Sequence, residues 1–228
     1  MFEDYISEKT KDWTKLLLIH KFAVDELKIK LENLDEEFRL VQEYNPIEHI
    51  RYRVKKPMSI IEKLQRLGLE PTIKNAKENI FDIAGIRIIC AFTADIYRVA
   101  EIIQNRPEIN VVKVKDYIEN PKANGYKSLH LHIEYPVSLS TGTESVRVEI
   151  QIRTIAMDFW ASIEHKIYYK YRSKAPKEIQ AELKGCADMI NNLDDRMYNL
   201  KRIINALEAS STKTPDYEYQ RDKDTIGL

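Results

Sequence analysis

Thiols are scarce in this chain. Cys90 and Cys186 are the only cysteines among 228 residues, one in an apolar strand-like run and one in a helix-like run. Both read as buried packing residues, which points to the cytosol. Net charge is absent as well: 36 basic residues face 36 acidic ones. No global field therefore recruits long nucleic acid or an anionic membrane, and RNA binding is not expected. The longest apolar runs, such as Leu16–Ile19 and Ile86–Phe92, are far shorter than the roughly 20 residues of a membrane-spanning helix. Met1–Thr10 carries acids and no apolar core, unlike a signal peptide. Glycine is sparse, and neither G-x-x-x-x-G-K-S/T nor G-x-G-x-x-G occurs. Neither a P-loop nor a dinucleotide-binding fold is supported.

What the chain does have is periodicity. Trp13, Leu17, His20, Val24, Leu27, Leu31, Leu34, Phe38 and Val41 alternate steps of four and three. This predicts one long amphipathic helix with a polar interruption at His20. Tyr44-Asn45-Pro46 breaks it. Pro57 suits the first turn of a second helix, Met58–Leu67, which Gly68 terminates. The period then shortens to two. Ile86–Phe92, Val111–Val114, Ser128–Tyr135 and Val146–Ile152 read as four strands, with a helix at Asp95–Asn105 between the first two. Pro121–Gly125 is a flexible loop opening into the third strand. Ala156, Phe159, Trp160, Ile163 and Ile167 trace a helix that should cover the sheet. A last helix from Pro176 carries Ile179, Leu183, Cys186, Ile190, Leu193, Met197, Leu200, Ile204 and Leu207 at heptad spacing. The fold class is α/β, a mixed sheet flanked by helices. The expected division is an N-terminal helical extension (1–43), a central domain (44–175), a C-terminal helix suited to oligomerisation (176–208) and a disordered tail (209–228).

Three features carry chemistry. Between Arg51 and Arg66 six basic residues (Arg51, Arg53, Lys55, Lys56, Lys63, Arg66) meet one acid, Glu62. That run is either a solvated helix face or an anion-attracting patch. On the helix after Pro57, Ser59, Lys63 and Arg66 share one face, as suits a phosphate chain. In Val146–Arg153, alternation puts Arg147, Glu149, Gln151 and Arg153 on one side of a strand. Ser128, His130 and His132 do the same on its neighbour. A solvent-facing edge would explain one such strand; two adjoining ones look like the floor of a polar cleft. Asp82, just before the apolar strand, supplies a second carboxylate. With Glu149 it could hold Mg²⁺ and leave the other positions to water and phosphate oxygens.

Four blocks then occur together: Arg53-Val54-Lys55 with Ser59 and Lys63; Asp82-Ile83-Ala84-Gly85-Ile86-Arg87; Asn124-Gly125-Tyr126-Lys127-Ser128-Leu129-His130; and Glu149-Ile150-Gln151-Ile152-Arg153-Thr154. In kind and order they resemble the alarmone synthetase domain of stringent-response enzymes, over roughly residues 44–175. The chain is similar to a stand-alone small alarmone synthetase, closest to the RelP type. The resemblance implies a nucleotidyltransferase-like sheet and transfer of the β,γ-pyrophosphate of ATP to the 3′-hydroxyl of GDP or GTP. It assigns Arg53 and Arg87 to adenine stacking, and Lys55, Ser59 and Lys63 to the ATP phosphates. Asp82 would bind Mg²⁺, and Glu149 would assist Mg²⁺ and take the 3′-hydroxyl proton. Tyr126 would stack on guanine through its face alone, so that Tyr126→Phe keeps most activity, while Lys122, His130 and Gln151 contact the acceptor. Homotetramers are implied.

Two positions depart from the family pattern. Met157-Asp158-Phe159-Trp160 carries Asp158 where the family often has an uncharged amide near the site, which alters acceptor contacts. His49 and Arg51 stand where product-activated members carry an aromatic and a small hydroxyl residue, which argues against activation by product. Three other readings compete. A metal-dependent phosphohydrolase would bind Zn²⁺ through His130, His132 and Glu134, but these spread over roughly 13 Å of one strand, and no His-Asp dipeptide is present. A coiled-coil scaffold explains the two ends and leaves the middle without a role. An RNA-binding module would draw on the basic run and the tyrosines.

Overall fold

The computed structural model describes residues 2–170 and 176–211, with side chains for 11–167 and 176–208. Five strands, β1 (Ile47–Val54), β2 (Ala84–Cys90), β3 (Asn110–Asp116), β4 (Leu129–Leu139) and β5 (Gly142–Thr154), form one mixed sheet. Their order is β1-β2-β5-β4-β3; β2 and β5 run parallel and the other neighbours antiparallel. Among the described residues six helices surround it: α1 (Phe2–Val41), α2 (Pro57–Arg66), α3 (Ile73–Asn79), α4 (Thr93–Gln104), α5 (Ile155–Lys170) and α6 (Lys177–Ser211).

Alternation in the strands divides the sheet into two unlike faces. Ala84, Ile86, Ile88, Leu129, Leu131, Ile133, Val148, Ile150 and Ile152 point to one side and are buried against α1 and α4. Burying each of the Ile, Leu and Val side chains among them contributes about 1.5–3 kcal/mol. Helix α1 supplies Ile19, Ala23, Val24, Leu27, Leu31, Leu34 and Phe38 to that core. Its interruption, His20, is buried and donates from Nδ1 to Leu16 O at 2.7 Å. A second cluster of Leu16, Ile60, Leu64, Ala76, Ile80 and Ile83 clamps α2 and α3 to α1 and fixes the turn before β2. A third, Trp160, Ala161, Leu183 and Ala187, joins α5 to the first half of α6 and takes in Tyr126.

Several sequence expectations change. The sequence predicts four strands; the fifth, β1, overlaps the start of the basic run, and its Arg51 and Arg53 alternate with Ile50, Tyr52 and Val54. The run is therefore a strand followed by a helix, not one helix face. α3 is an additional helix, capped where Thr72 accepts from the Asn75 N–H at 3.1 Å. The α5 stripe is partly misplaced: Phe159 and Ile163 are exposed, while Met157, Trp160 and Ala161 are buried. Val41 is exposed as well. Along α6 the heptad positions split, with Leu183 buried but Leu193, Met197, Leu200, Ile204 and Leu207 about half exposed or more. The tail expected from 209 begins with three residues of α6, and 212–228 lie outside the described residues. Among the described residues no helix is long and apolar enough to cross a membrane.

Candidate active site

Strand register assembles the polar face into two rows. One row runs Arg51, Arg87, Gln151, His130, Lys115 across β1, β2, β5, β4 and β3. The next runs Arg53, Gly85, Glu149, His132, Lys113. Gly85 has no side chain, so Arg53 and Glu149 confront each other across a gap of two strand spacings, roughly 10 Å. A cleft of about 250 Å³ opens there, lined by Arg51, Arg53, Gly85, Arg87, Glu149 and Gln151. A methyl group at Gly85 would meet Arg53 Nε at 3.3 Å, so the glycine keeps this floor open.

At one end lies Asp82, in the turn that leads into β2. Lys55 from the end of β1 donates to Oδ2 at 2.6 Å, and Lys63 from α2 donates to Oδ1 at 2.7 Å. Arg53 Nη2 stands 3.8 Å away. Burial alone would raise the Asp82 carboxyl, but the two lysine hydrogen bonds outweigh it and hold the group below the usual carboxylate range. Ser59 sits one turn before Lys63 on α2, partly exposed. Three cations thus converge on one carboxylate, leaving a local positive excess in a chain of zero net charge.

Glu149 stands at the centre of β5 with three donors. His130 Nδ1 and His132 Nε2 reach Oε1 at 3.1 and 3.3 Å, and Gln151 Nε2 donates to Oε2 at 2.7 Å. Burial would push the Glu149 carboxyl up; the His130 and His132 hydrogen bonds outweigh it and hold it well below the ordinary value. Burial also lowers His130, despite its bond to Glu149. A neutral His130 that donates through Nδ1 must accept through Nε2, where Tyr126 Oη lies at 2.8 Å. That hydroxyl in turn accepts from Arg153 Nη2 at 2.5 Å. A directional chain therefore runs from Arg153 through Tyr126 and His130 to Glu149. Phe81 stacks on His132 at 4.4 Å and carries Arg147 over its ring at 4.6 Å, which fixes the second imidazole.

The loop before β4 shapes the other end. Gly125 has φ +87°, and a Cβ there would lie 2.5 Å from the Ala187 methyl of α6. Asn124 donates to Glu164 of α5 at 3.0 Å. The Lys122 ammonium lies 4.6 Å from the Tyr126 ring centroid and 4.7 Å from that of Tyr117. At the start of α5, buried Asp158 accepts from Arg87 at 3.0 Å and from Arg153 at 3.2 Å.

Residues 52–174 match the family model described as a region found in RelA/SpoT proteins. The chain belongs to the RelA/SpoT family. The protein named GTP pyrophosphokinase YwaC of Bacillus subtilis (strain 168) is 50% identical over 201 residues, 88% of this chain and 96% of that one. GTP pyrophosphokinase YjbM of the same organism is 36% identical over 203 residues, 89% and 95% of the two chains. The crystal structure of B. subtilis small alarmone synthetase 1 bound to its product pppGpp superposes with a TM-score of 0.82. It shares 37% identity and covers 86% of this chain and 99% of that one. The mixed five-stranded sheet is thus the fold of this RelA/SpoT branch.

The RelA/SpoT member described here groups the predicted site residues into three sets. Arg53, Arg87, Glu149 and Gln151 line the cleft; Lys55 and Lys63 hold Asp82; Tyr126, His130 and Lys122 cluster beside the loop. The Zn²⁺ grouping through Glu134 is corrected: Glu134 faces Arg147 at 3.5 Å, and it is Glu149 whose oxygen lies within 4.8 Å of both imidazoles. The two family departures meet, with Arg51 Nη1 3.9 Å from Asp158 Oδ2. The sequence assigns no role to Phe81 or Tyr117, and gives His132 only a place in the competing Zn²⁺ grouping. His132 and Arg153 were visible as members of polar strand faces; Phe81 and Tyr117 carry no local signal.

Proposed function

We propose that this chain transfers the β,γ-pyrophosphate of ATP to the 3′-hydroxyl of GDP or GTP and releases AMP, producing guanosine alarmones. The observation that carries the reading is the glycine-floored cleft, with cation-ringed Asp82 at one end and triply hydrogen-bonded Glu149 opposite. Arg53 and Arg87 stack on adenine, for which a planar, weakly hydrated guanidinium is suited. Lys55, Ser59 and Lys63 take the donor phosphates, helped by a first turn of α2 that no side chain caps. The Tyr126 ring receives guanine on the face that Lys122 now covers, and Lys122, His130 and Gln151 contact the acceptor. One relative is described as bound to pppGpp, which supports that acceptor class.

Glu149 accepts the 3′-hydroxyl proton as the oxygen attacks the β-phosphorus of ATP and the bond to the AMP oxygen breaks. Its depressed pKa makes it a weak base, so positioning and charge neutralisation carry most of the rate, as in phosphoryl transfer generally. Hard carboxylate oxygens fit a magnesium ion, and Asp82 and Glu149 would hold it. When bound, Mg²⁺ offsets the charge growing on the transferred group. The lysines now paired with Asp82 are equally suited to polyphosphate oxygens.

The catalytic unit is assigned to 44–175, with α1 as a packed extension and α6 as the assembly element. The exposed apolar positions Leu193, Met197, Leu200, Ile204 and Leu207 pair with further copies in a cytosolic homotetramer. The test of function is direct. Incubation with γ-labelled ATP, Mg²⁺ and GMP, GDP or GTP in turn is expected to move the label onto the guanine nucleotide. Label recovered only as inorganic phosphate would favour the phosphohydrolase reading instead.

A further inference from the structure

We propose that Asp158 is a positioning residue that ties the donor half of the site to the acceptor half. It rests on the assignment of Arg87 to ATP and of Tyr126 to the guanine nucleotide. Three arginines from three strands converge on this one buried carboxylate. Oδ1 accepts from Arg87 Nη1 at 3.0 Å and from Arg153 Nη1 at 3.2 Å, and Arg51 Nη1 lies 3.9 Å from Oδ2. Arg87 belongs to the cleft. Arg153 reaches the opposite way, donating through Nη2 to Tyr126 Oη at 2.5 Å and to Gln151 Oε1 at 2.8 Å.

Two guanidinium groups that share one carboxylate oxygen repel each other once that oxygen loses its charge. Arg87 depends on the contact in particular, because its Nε is buried without a hydrogen-bond partner. Burial first, and the Arg153 charge second, weaken Arg87's hold on its proton; Asp158 opposes both. Asp158 therefore sets where the donor-side Arg87 points and where Arg153 places the Tyr126 hydroxyl. It would act on each nucleotide through a different arginine.

The experiment measures kcat/KM for ATP and for GDP, with melting temperatures, in wild type and Asp158→Asn, and again in Arg87→Gln and Arg153→Gln backgrounds. Asp158→Asn is expected to lower both values by roughly 10- to 150-fold, the size of a lost charge-assisted hydrogen bond. In the Arg87→Gln background the ATP loss should shrink to less than about threefold while the GDP loss persists; Arg153→Gln should give the reverse. A purely structural role would instead lower the melting temperature and depress both nucleotides equally in every background. Values within about twofold of wild type for either nucleotide, or losses undiminished in both backgrounds, overturn the proposal. If Asp158→Asn does not fold, Asp158→Glu replaces it; its displaced oxygens predict the same split, and an unsplit loss overturns the proposal. A wild-type protein without transfer activity removes the functional reading and the proposal with it. An active wild type with an unsplit loss removes the proposal alone.

Discussion

Tyr126→Phe separates a ring that only stacks from a ring whose hydroxyl works. If only the face mattered, phenylalanine would keep most activity. The hydroxyl, however, donates to His130 Nε2 at 2.8 Å and accepts from Arg153 Nη2 at 2.5 Å. Its removal deletes two hydrogen bonds and leaves an imidazole nitrogen and a guanidinium nitrogen facing an apolar edge. A neutral bond contributes about 0.5–1.5 kcal/mol and one to a charged group about 1.5–3 kcal/mol. Part of that appears as lost stability, and the part that orients His130 against Glu149 appears as lost rate. We expect kcat to fall roughly 5- to 50-fold, which corresponds to about 1–2.3 kcal/mol of transition-state stabilisation. The KM for ATP should be nearly unchanged, because no donor-side residue touches this hydroxyl. Steady-state kinetics in both nucleotides, with a melting curve, measure the split. A Tyr126→Phe enzyme within twofold of wild-type kcat would refute the relay from Arg153 to Glu149.

The remaining expectations follow from the same geometry. Gly125→Ala places a methyl 2.5 Å from the Ala187 Cβ at a backbone φ of +87°; strain of about 1–3 kcal/mol should shift the loop and raise the acceptor KM, seen against an unchanged ATP KM. Asp82→Asn removes the anion shared by Lys55 and Lys63, so its activity loss should be partly relieved by raising Mg²⁺ in an initial-rate titration. Leu193→Glu with Leu200→Glu should shrink the particle in size-exclusion chromatography, because both side chains are more than half exposed in one copy and are assigned to contacts between copies.

Much of this arrangement was legible in the residues. Strict alternation in Val146–Ile152 placed Glu149 and Gln151 on a polar face, and the register confirms that face. Pro46 and Pro57 marked helix boundaries because proline fixes its own φ, and Gly68 because glycine tolerates its φ of +70°. β1 was hidden because Arg51 and Arg53 occupy its polar side and Lys55 and Lys56 follow directly, so a half-charged strand beside a helix reads as one basic segment. The α6 pattern was regular throughout, yet only its first half meets α5; periodicity states that a face is apolar and is silent about what covers it. Asp158 could be flagged as unusual, but Arg51 and Arg87 reach it from strands far away in sequence, and only Arg153 is close along the chain. Phe81 and Tyr117 owe their roles to ring contacts that only tertiary structure creates.

Pyrophosphate is expected to leave ATP at this cleft, with Glu149 receiving the acceptor's proton. The most direct measurement is AMP released per guanine nucleotide consumed, compared between wild type and Glu149→Gln. The expected result is one AMP for each 3′-pyrophosphorylated product, none without a guanine nucleotide, and a rate about 10²- to 10⁴-fold lower in Glu149→Gln with ATP binding retained. ADP or free phosphate as the main product, or near-normal turnover in Glu149→Gln, would contradict it.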